Sequence, residues 1–215
     1  MKNPAAFWDK VAVKYAKSPI SDMDAYTYSL ERTRSYLSPE DHILEVGCGT
    51  GSTALLLAEN VKQITASDLS PNMLRIGREK AEDQGVSNIK FINAELSDSK
   101  IDIGPYDAVL ALNILHLLED MPAAIERING LLKPGGIFIS KTVCALGTGT
   151  PFKYRLMKLI LPLMQMIGKA PYVNFMEISE LEEIISSGGF KIIETGNYPA
   201  SPTSRYVVAK KIEKT

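Results

Sequence analysis

The sequence predicts an α/β fold in which a doubly wound, seven-stranded and mainly parallel sheet carries helices on both faces. Between residues 42 and 143, short apolar runs alternate with helical patterns, which is typical of a parallel sheet. The run at 106–112 is almost continuously apolar, as expected of a strand buried on both faces. The last two runs, 190–195 and 205–210, are joined by a Pro- and Ser-rich loop and predict an antiparallel pair, so the last strand is antiparallel.

Two amphipathic helices are predicted before the first strand. Between residues 4 and 17, large apolar side chains recur at helical spacing, namely Phe7, Trp8, Val11 and Tyr15. A proline in the first turn of this segment suits a helix start. A second helical pattern covers residues 24–37 and ends at a Ser-Pro turn.

Strands and helices then alternate in chain order. Strands are predicted at 42–46, 62–67, 89–92, 106–112 and 137–143, and helices at 52–59, 71–84 and 122–132. Ser70 before Pro71 is typical of a helix start. A turn is expected at 133–136, where two glycines follow a proline. Ser179 and Glu182 have the spacing of a capping box and predict a last helix before the final strands.

The overall composition suits a globular protein of a reducing compartment. The chain has 215 residues, enough for one domain with a sizeable core. Its 24 Lys and Arg nearly balance 25 Asp and Glu, so no strong field favours nucleic acid as a partner. Two isolated cysteines are present, Cys48 and Cys144, and no apolar stretch approaches the roughly 18 residues of a membrane span. We therefore expect a cytoplasmic protein with no transmembrane segment, no nucleic-acid partner and no metal site.

A glycine-rich turn after the first strand is the clearest functional signal. Gly47, Gly49 and Gly51 alternate with other residues between an apolar run that contains Glu45 and a helical pattern. Such a turn lets a ligand lie directly against the backbone. A dinucleotide fingerprint requires G-x-G-x-x-G, whereas Ser52 occupies the position of its third glycine here.

Residues 45–51, Glu-Val-Gly-Cys-Gly-Thr-Gly, resemble the first motif of class I S-adenosylmethionine-dependent methyltransferases. Three further features share the resemblance: Asp68 at the end of the second strand, residues 105–120 around the fourth strand, and the turn at 131–136. The resemblance spans roughly residues 40–143 and fits best the branch that includes ubiquinone- and menaquinone-biosynthesis methyltransferases. It implies a Rossmann-like fold with S-adenosylmethionine as cofactor and S-adenosylhomocysteine (SAH) as product.

One methyltransferase domain, residues 1–215, is then expected, and it has four parts. They are an N-terminal helical cap (1–40), a cofactor-binding core (41–143), a helical lid insertion (147–176), and a C-terminal helix with the antiparallel strand pair (177–215). The insertion is broadly apolar with one narrow polar stripe, as in a helix that is buried or faces an apolar ligand or membrane. Three interpretations stay open: a cap packed on the N-terminal helices, a lid over the acceptor, and a peripheral membrane or dimer contact.

The resemblance also implies a set of cofactor-binding residues. The set comprises Tyr15, Glu45, Gly47, Cys48, Gly49, Gly51, Asp68, Leu69, Met73, Asn93, Ala94, Glu95 and Asn113. Asp68 would accept hydrogen bonds from both ribose hydroxyls, and Leu69 and Met73 would line the adenine. The alternatives are a loop-capping role for Asp68 and core packing for Met73.

Five of these residues have less specific roles. Asn93 stands where the family has an acidic residue that accepts the adenine amino group, with Ala94 and Glu95 beside it. Asn113 ends the fourth strand, beside the methionine portion of the cofactor and the methyl group. Tyr15 occupies the place of a family tyrosine beside the cofactor's carboxylate, and core packing is the alternative.

A sulfonium is already an activated electrophile, so no strong catalytic signature is expected. His116, just past the fourth strand, is the candidate catalytic base, with packing among neighbouring leucines as the alternative. The leading interpretation is methyl transfer to a small, apolar or aromatic acceptor by in-line displacement. Two others stay open: a non-catalytic S-adenosylmethionine-binding module, and an NAD(P)-dependent oxidoreductase, which Ser52 disfavours. The acceptor atom (O, N, C or S) and the oligomeric state, monomer or homodimer, are also open.

Overall fold

Helices and strands alternate through most of the chain. The structure, a computed structural model, describes residues 4–144, 160–161, 163–165, 170–201 and 203–213. Its main helices are α1 (Pro4–Lys17), α2 (Met23–Arg34), α3 (Ser52–Leu57), α4 (Pro71–Asp83), α5 (Met121–Leu131) and α6 (Ile178–Ser187). Its strands are β1 (His42–Val46), β2 (Gln63–Asp68), β3 (Ile89–Asn93), β4 (Tyr106–Leu112), β5 (Leu132–Val143), β6 (Phe190–Asn197) and β7 (Ser204–Lys211).

The strands form one seven-stranded sheet in the order β3-β2-β1-β4-β5-β7-β6. Strands β1 to β5 pair in parallel, while β7 lies antiparallel between β5 and β6. The mainly parallel sheet with an antiparallel last strand is confirmed. The chain order reverses between β1 and β4, and ligands of such sheets bind at that point, beyond the carboxyl ends of the strands.

Apolar cores fill both faces of the sheet. On one face, Ile125 of α5 and Leu181 of α6 are completely buried against Phe138 of β5. On the other face, Leu57 and Leu74 of α3 and α4 are buried in a second cluster with side chains of β1, β2 and β4. Helices cover both faces of the sheet, as predicted, because each helix buries one apolar stripe against it.

Several predicted boundaries differ from the structure, and three of the differences have a clear physical reason. Strand β5 begins at Leu132 rather than 137, because an irregularity in its pairing with β4 accommodates residues 133–136, which include Gly135 at φ +70°. The capping-box prediction was wrong, since α6 begins at Ile178 after Glu177, with no side-chain cap. Starting there places Ile178 on the same helix face as the buried Leu181 and Ile185. Helix α2 ends at Arg34 instead of 37, because its last turn tightens into i→i−3 bonds.

Helix α1 is fastened to the start of α4. The Asp9 carboxylate accepts hydrogen bonds from Ser70 Oγ (2.5 Å) and from the Asn72 amide (3.0 Å). Ser70 also caps α4 by accepting from the Met73 amide at 3.1 Å. Because α4 follows β2 directly, this contact holds α1 over the carboxyl ends of the strands.

Most of the predicted lid, 147–176, lies outside the described residues. Helical residues occur at 160–161 and 163–165, and residues 170–177 have no regular secondary structure before α6 begins. The Asn174 amide donates to the His116 carbonyl oxygen at 2.7 Å, so this stretch is attached beside the end of β4. The division of the chain into four parts stays a prediction. Within the described ranges, no helix has the length and apolar character that crossing a membrane would take.

Candidate active site

A cavity of about 800 Å³ lies over the carboxyl ends of β1 to β4, where the strand order reverses. Its lining combines the glycine turn, the residues that follow β2, β3 and β4, and one face of α1. The lining residues are Pro4, Trp8, Tyr15, Val46, Gly47, Gly49, Asp68, Leu69, Met73, Ala94, Glu95, Leu96, Ser97, Asp102, Leu112, Asn113, Ile114, Leu117, Leu118, Glu119, Asp120, Ala123, Ala124, Arg127, Pro171 and Tyr172. Nine of the thirteen predicted cofactor residues are among them.

The glycine turn needs its three glycines for different reasons. All three have positive φ angles, between +54° and +69°, which side chains rarely tolerate. A Cβ on Gly47 would lie 2.7 Å from Ile114 Cγ1, and one on Gly51 would lie 2.8 Å from Phe91 Cε1. A Cβ on Gly49 would meet only Tyr15, at 3.7 Å, in space that opens on the cavity. Gly47 and Gly49 therefore border the cavity, while Gly51 packs inside the protein.

Cys48 lies between these glycines and is buried away from the cavity. Its amide donates to the Ser67 carbonyl oxygen at 2.9 Å, which ties the turn to the end of β2. Its thiol is free, and burial raises the pKa of Cys48 well above the ordinary value. This residue holds the shape of the turn and does not line the cavity.

Asp68 ends β2 and joins the glycine turn to the start of α4. Its Oδ2 accepts from the Gly49 amide at 2.9 Å, and its Oδ1 accepts from the Ser70 amide at 2.8 Å. Desolvation raises the pKa of Asp68, although these amide hydrogen bonds counteract the effect. Each oxygen uses one lone pair on a backbone amide and can accept a second hydrogen bond from a ligand.

Glu45 lies beneath the turn and is 3% exposed. The Ala54 amide at the start of α3 hydrogen-bonds to its carboxyl group, while Oε2 has no hydrogen-bond partner among the described residues. Desolvation, reinforced by the charge of Asp68, raises the pKa of Glu45 to about 8. A buried acceptor without a donor is a common sign of a missing ligand or water.

The segment after β3 contributes to the cavity through Ala94 and Glu95 rather than through Asn93. The Asn93 side chain is exposed and donates to the Asp68 carbonyl oxygen at 3.0 Å, outside the cavity. Leu69 and the fully buried Met73 line the cavity on the opposite side, at the start of α4. The predicted adenine wall is thus brought together except for Asn93.

Asn113 ends β4 in a left-handed conformation, with φ +62°. Its amide donates to the Lys141 carbonyl oxygen at 2.7 Å, which fixes the turn to β5. Asparagine tolerates this conformation better than most residues, and non-glycine residues with positive φ concentrate at functional sites. Asn113 lines the cavity, and its predicted contact with the cofactor stays a prediction.

His116 lies in a short 3₁₀ helix, 115–117, behind the cavity wall. Its Nδ1 is buried and has no partner among the described residues, and burial lowers the pKa of His116 to about 4. The ring is therefore neutral at pH 7 and could accept a proton only weakly. It is not among the residues that line the cavity.

Tyr15 and Trp8 form the α1 side of the cavity and pack edge to face, with centroids 6.2 Å apart. Tyr15 is 52% exposed and lies against Gly49. Desolvation, followed by the charges of Asp68 and Glu45, raises the pKa of Tyr15. A cation placed beside Tyr15 would be attracted by the negative charge of the Asp68 carboxylate.

Sequence reasoning missed several cavity residues. Trp8 shares a helix face with Tyr15 seven residues later, so the helical period could have indicated it. At the far end, Arg127 of α5 forms an ion pair with Asp102, and both line the cavity. Nothing in the sequence pairs Arg127 with Asp102, since they belong to separate elements.

A family model described as a methyltransferase domain matches residues 43–136. A demethylmenaquinone methyltransferase of Staphylococcus carnosus is 28% identical over 190 residues, which cover 79% of this chain and 76% of that protein. A sterol 4-C-methyltransferase of Caenorhabditis elegans is 31% identical over 104 residues, which cover 48% of this chain and 31% of that protein. The chain spans less than half the length of several curated relatives that it matches, from 5% to 46%.

The fold is shared with solved methyltransferases. A magnesium protoporphyrin IX methyltransferase of Synechocystis, solved with bound SAH, has a TM-score of 0.70 to this structure at 19% identity. The alignment covers 96% of this chain and 97% of that one. The sheet order and the glycine turn are consistent with the methyltransferase-domain match and with these relatives. Residues 43–136 therefore match a methyltransferase domain, and the chain shares the fold of solved class I S-adenosylmethionine-dependent methyltransferases.

Proposed function

We propose that this protein transfers the methyl group of S-adenosylmethionine to a small, apolar or aromatic acceptor. The observation that carries this proposal is the large cavity at the switch point, which joins the glycine turn and Asp68 to a mainly apolar wall. Its volume, about 800 Å³, is near the upper end of the range for small-molecule sites, roughly 300–1,000 Å³. A donor and a small acceptor can therefore share one enclosed space.

The residues around the turn fit such a donor. Gly47 and Gly49 line the cavity and carry no side chains of their own, so a ligand can lie against their backbone there. Asp68 keeps one lone pair free on each oxygen for the two ribose hydroxyls. Leu69, Met73 and Ala94 provide apolar walls for the adenine.

Other predicted residues would act indirectly. Cys48, Gly51 and Asn93 keep the turn and the end of β2 in place, since each contacts protein rather than the cavity. Glu45 would take its missing hydrogen bond from the donor's ammonium group, directly or through water, on the side closed by Tyr15. Glu95 lies at the adenine end and would accept from the exocyclic amine.

Bound S-adenosylmethionine supplies a methyl group that is already activated on a sulfonium. The protein must hold the acceptor in line with that group and exclude water. Asn113 lies at the end of β4, where the methyl group would face the acceptor, and Trp8 and Tyr172 close the wall around it. His116 would be needed as a base only if the acceptor loses a proton.

The cellular compartment and the class of acceptor are also part of the proposal. Both cysteines in the chain are buried and free, which suits a cytoplasmic protein. The near balance of charges disfavours nucleic acid as a substrate, and the apolar insertion suits a lipophilic acceptor.

The proposal is tested by incubating the protein with S-adenosylmethionine and a panel of lipophilic and phenolic acceptors. We expect SAH release that depends on one class of acceptor, together with a methylated product of matching mass. Tight SAH binding without methylation of any acceptor would indicate a non-catalytic binding module. Preferential binding of NADH over SAH would contradict the proposal altogether.

A further inference from the structure

A second, smaller and more polar pocket lies beside the large cavity. It measures about 30 Å³, enough for one oxygen-sized group. Its lining residues are Tyr26, Ser29, Leu30, Thr33, Thr53, Leu112, Asn113 and Lys141. Leu112 and Asn113 line both spaces, so the end of β4 is what separates the small pocket from the candidate active site.

Lys141 is the one ionisable amine in this pocket, and it is 8% exposed. Its Nζ donates to Ser29 Oγ at 3.1 Å and forms no ion pair among the described residues. Asp22 acts on it only at longer range, and that carboxylate already caps α2 by accepting from the Ala25 amide at 2.9 Å. Desolvation lowers the pKa of Lys141, and the charge of Asp22 offsets this only in part.

The sequence immediately after β5 also contains no acidic residue that could supply a counter-charge. Residues 145–169 contain four basic side chains and no Asp or Glu. Burying an ammonium group without an anionic partner is costly, and such groups persist mainly where function requires them. Ser29 does not depend on Lys141, because its hydroxyl donates to the Tyr26 carbonyl oxygen at 2.9 Å.

We propose that Lys141 binds an anionic oxygen of the acceptor, carried by a carboxylate or a phenolate. This inference rests on the proposed function and narrows its substrate class to apolar molecules with one acidic group. The body of the acceptor would occupy the large cavity while its anionic oxygen reaches past Asn113 to Lys141. The missing counter-charge of Lys141 is then supplied by the substrate.

The test measures binding of two matched pairs of probes to the SAH-loaded protein by calorimetry at pH 8. The first pair is 2-naphthoate and 2-naphthamide, and the second is 4-nitrophenolate and 4-nitroaniline. We expect at least one anion to bind about tenfold or more tightly than its neutral partner, and the responding pair identifies carboxylate or phenolate. Lys141→Met should abolish that preference and leave the affinity for the neutral probe within about twofold.

Three controls separate this role from a structural one. Lys90→Met removes the same charge from an exposed site on β3 and should keep the preference. Lys141→Gln retains a hydrogen-bond donor for Ser29 but not the charge, so this variant should lose the preference for the anion. Without ligands, Lys141→Met should raise the melting temperature, because it removes a buried charge that lacks an ionic partner.

The inference is overturned if the wild type prefers neither anion, including a wild type that binds none of the four probes. It is also overturned if Lys141→Met keeps the preference, or melts at a lower temperature than the wild type. SAH binding distinguishes these results from a failure of the proposed function. If SAH binds and no anion is preferred, only the role of Lys141 fails, whereas a protein that does not bind SAH contradicts the proposed function itself.

Discussion

Replacing Asp68 by alanine tests the cofactor site most sharply. Its two oxygens accept from the Gly49 and Ser70 amides at 2.9 and 2.8 Å, and each keeps one lone pair for a ribose hydroxyl. A hydrogen bond to a charged group contributes roughly 1.5–3 kcal/mol. Two such hydrogen bonds are lost, but water can occupy the place of the carboxylate and hydrogen-bond to the ribose hydroxyls, which recovers part of the free energy. We therefore expect a net loss of about 1.5–3 kcal/mol, or a roughly 10- to 150-fold higher Kd for SAH.

Isothermal titration calorimetry with SAH measures this effect directly. The variant leaves two backbone amides without their acceptor, so its circular dichroism and thermal unfolding must first show a folded protein. Asp83→Ala, at the exposed end of α4, removes an equal charge away from the cavity and should leave the Kd within about twofold. A folded Asp68→Ala protein with an unchanged Kd would refute the assigned contact with the ribose.

Three further predictions concern packing, pH and catalysis. Gly51→Ala should lower the free energy of unfolding by about 1–3 kcal/mol in urea titrations, because the new Cβ would lie 2.8 Å from Phe91 and the backbone φ is +69°. Gly85→Ala has a similar φ of +66° but open space around it, so it should lower the free energy of unfolding by less. The pKa of Glu45 is about 8 in the folded protein and lower in the unfolded chain, so folding takes up a proton between about pH 4.5 and 8. As the pH rises through this range, the free energy of unfolding of the wild type should therefore fall relative to that of Glu45→Gln. Parallel pH profiles of the two proteins would contradict this. If His116 is the base, His116→Gln should slow methyl transfer by about 10²- to 10⁴-fold without changing SAH affinity, and full activity would leave it a packing role.

The fold was predictable because its signals are local. Helix α1 and strands β1 and β4 have the predicted bounds, since a helical period or an apolar run can be recognised within a dozen residues. The errors arose where distant packing decided the boundary. Helix α6 begins before its apparent capping box because an earlier start aligns Ile178 with the buried face of the helix.

The candidate site was predictable in part, because parallel strands end at the same edge of the sheet. Gly47, Asp68 and Asn113 follow different strands, and the structure brings all three to one cavity. Asn93 shares that edge, but its amide turns to the Asp68 carbonyl oxygen instead of the cavity. Strand ends locate a backbone position, whereas the direction of a side chain depends on its partners.

Lys141 shows what the sequence alone does not contain. In the sequence it is one lysine in an otherwise ordinary strand. Its environment depends on Ser29, which is 112 residues away in the chain and belongs to α2. Only the folded structure shows that this ammonium group is buried beside Asn113 with a neutral hydroxyl as its hydrogen-bond partner.

A crystal structure of the SAH complex would show whether the cavity holds the cofactor as assigned. SAH should lie in the cavity over β1 and β4, with its chain along Gly47 and Gly49 and both ribose hydroxyls within about 3 Å of the Asp68 oxygens. The sulfur should then face the open space beside Asn113. SAH bound elsewhere, or with its ribose away from Asp68, would contradict this assignment.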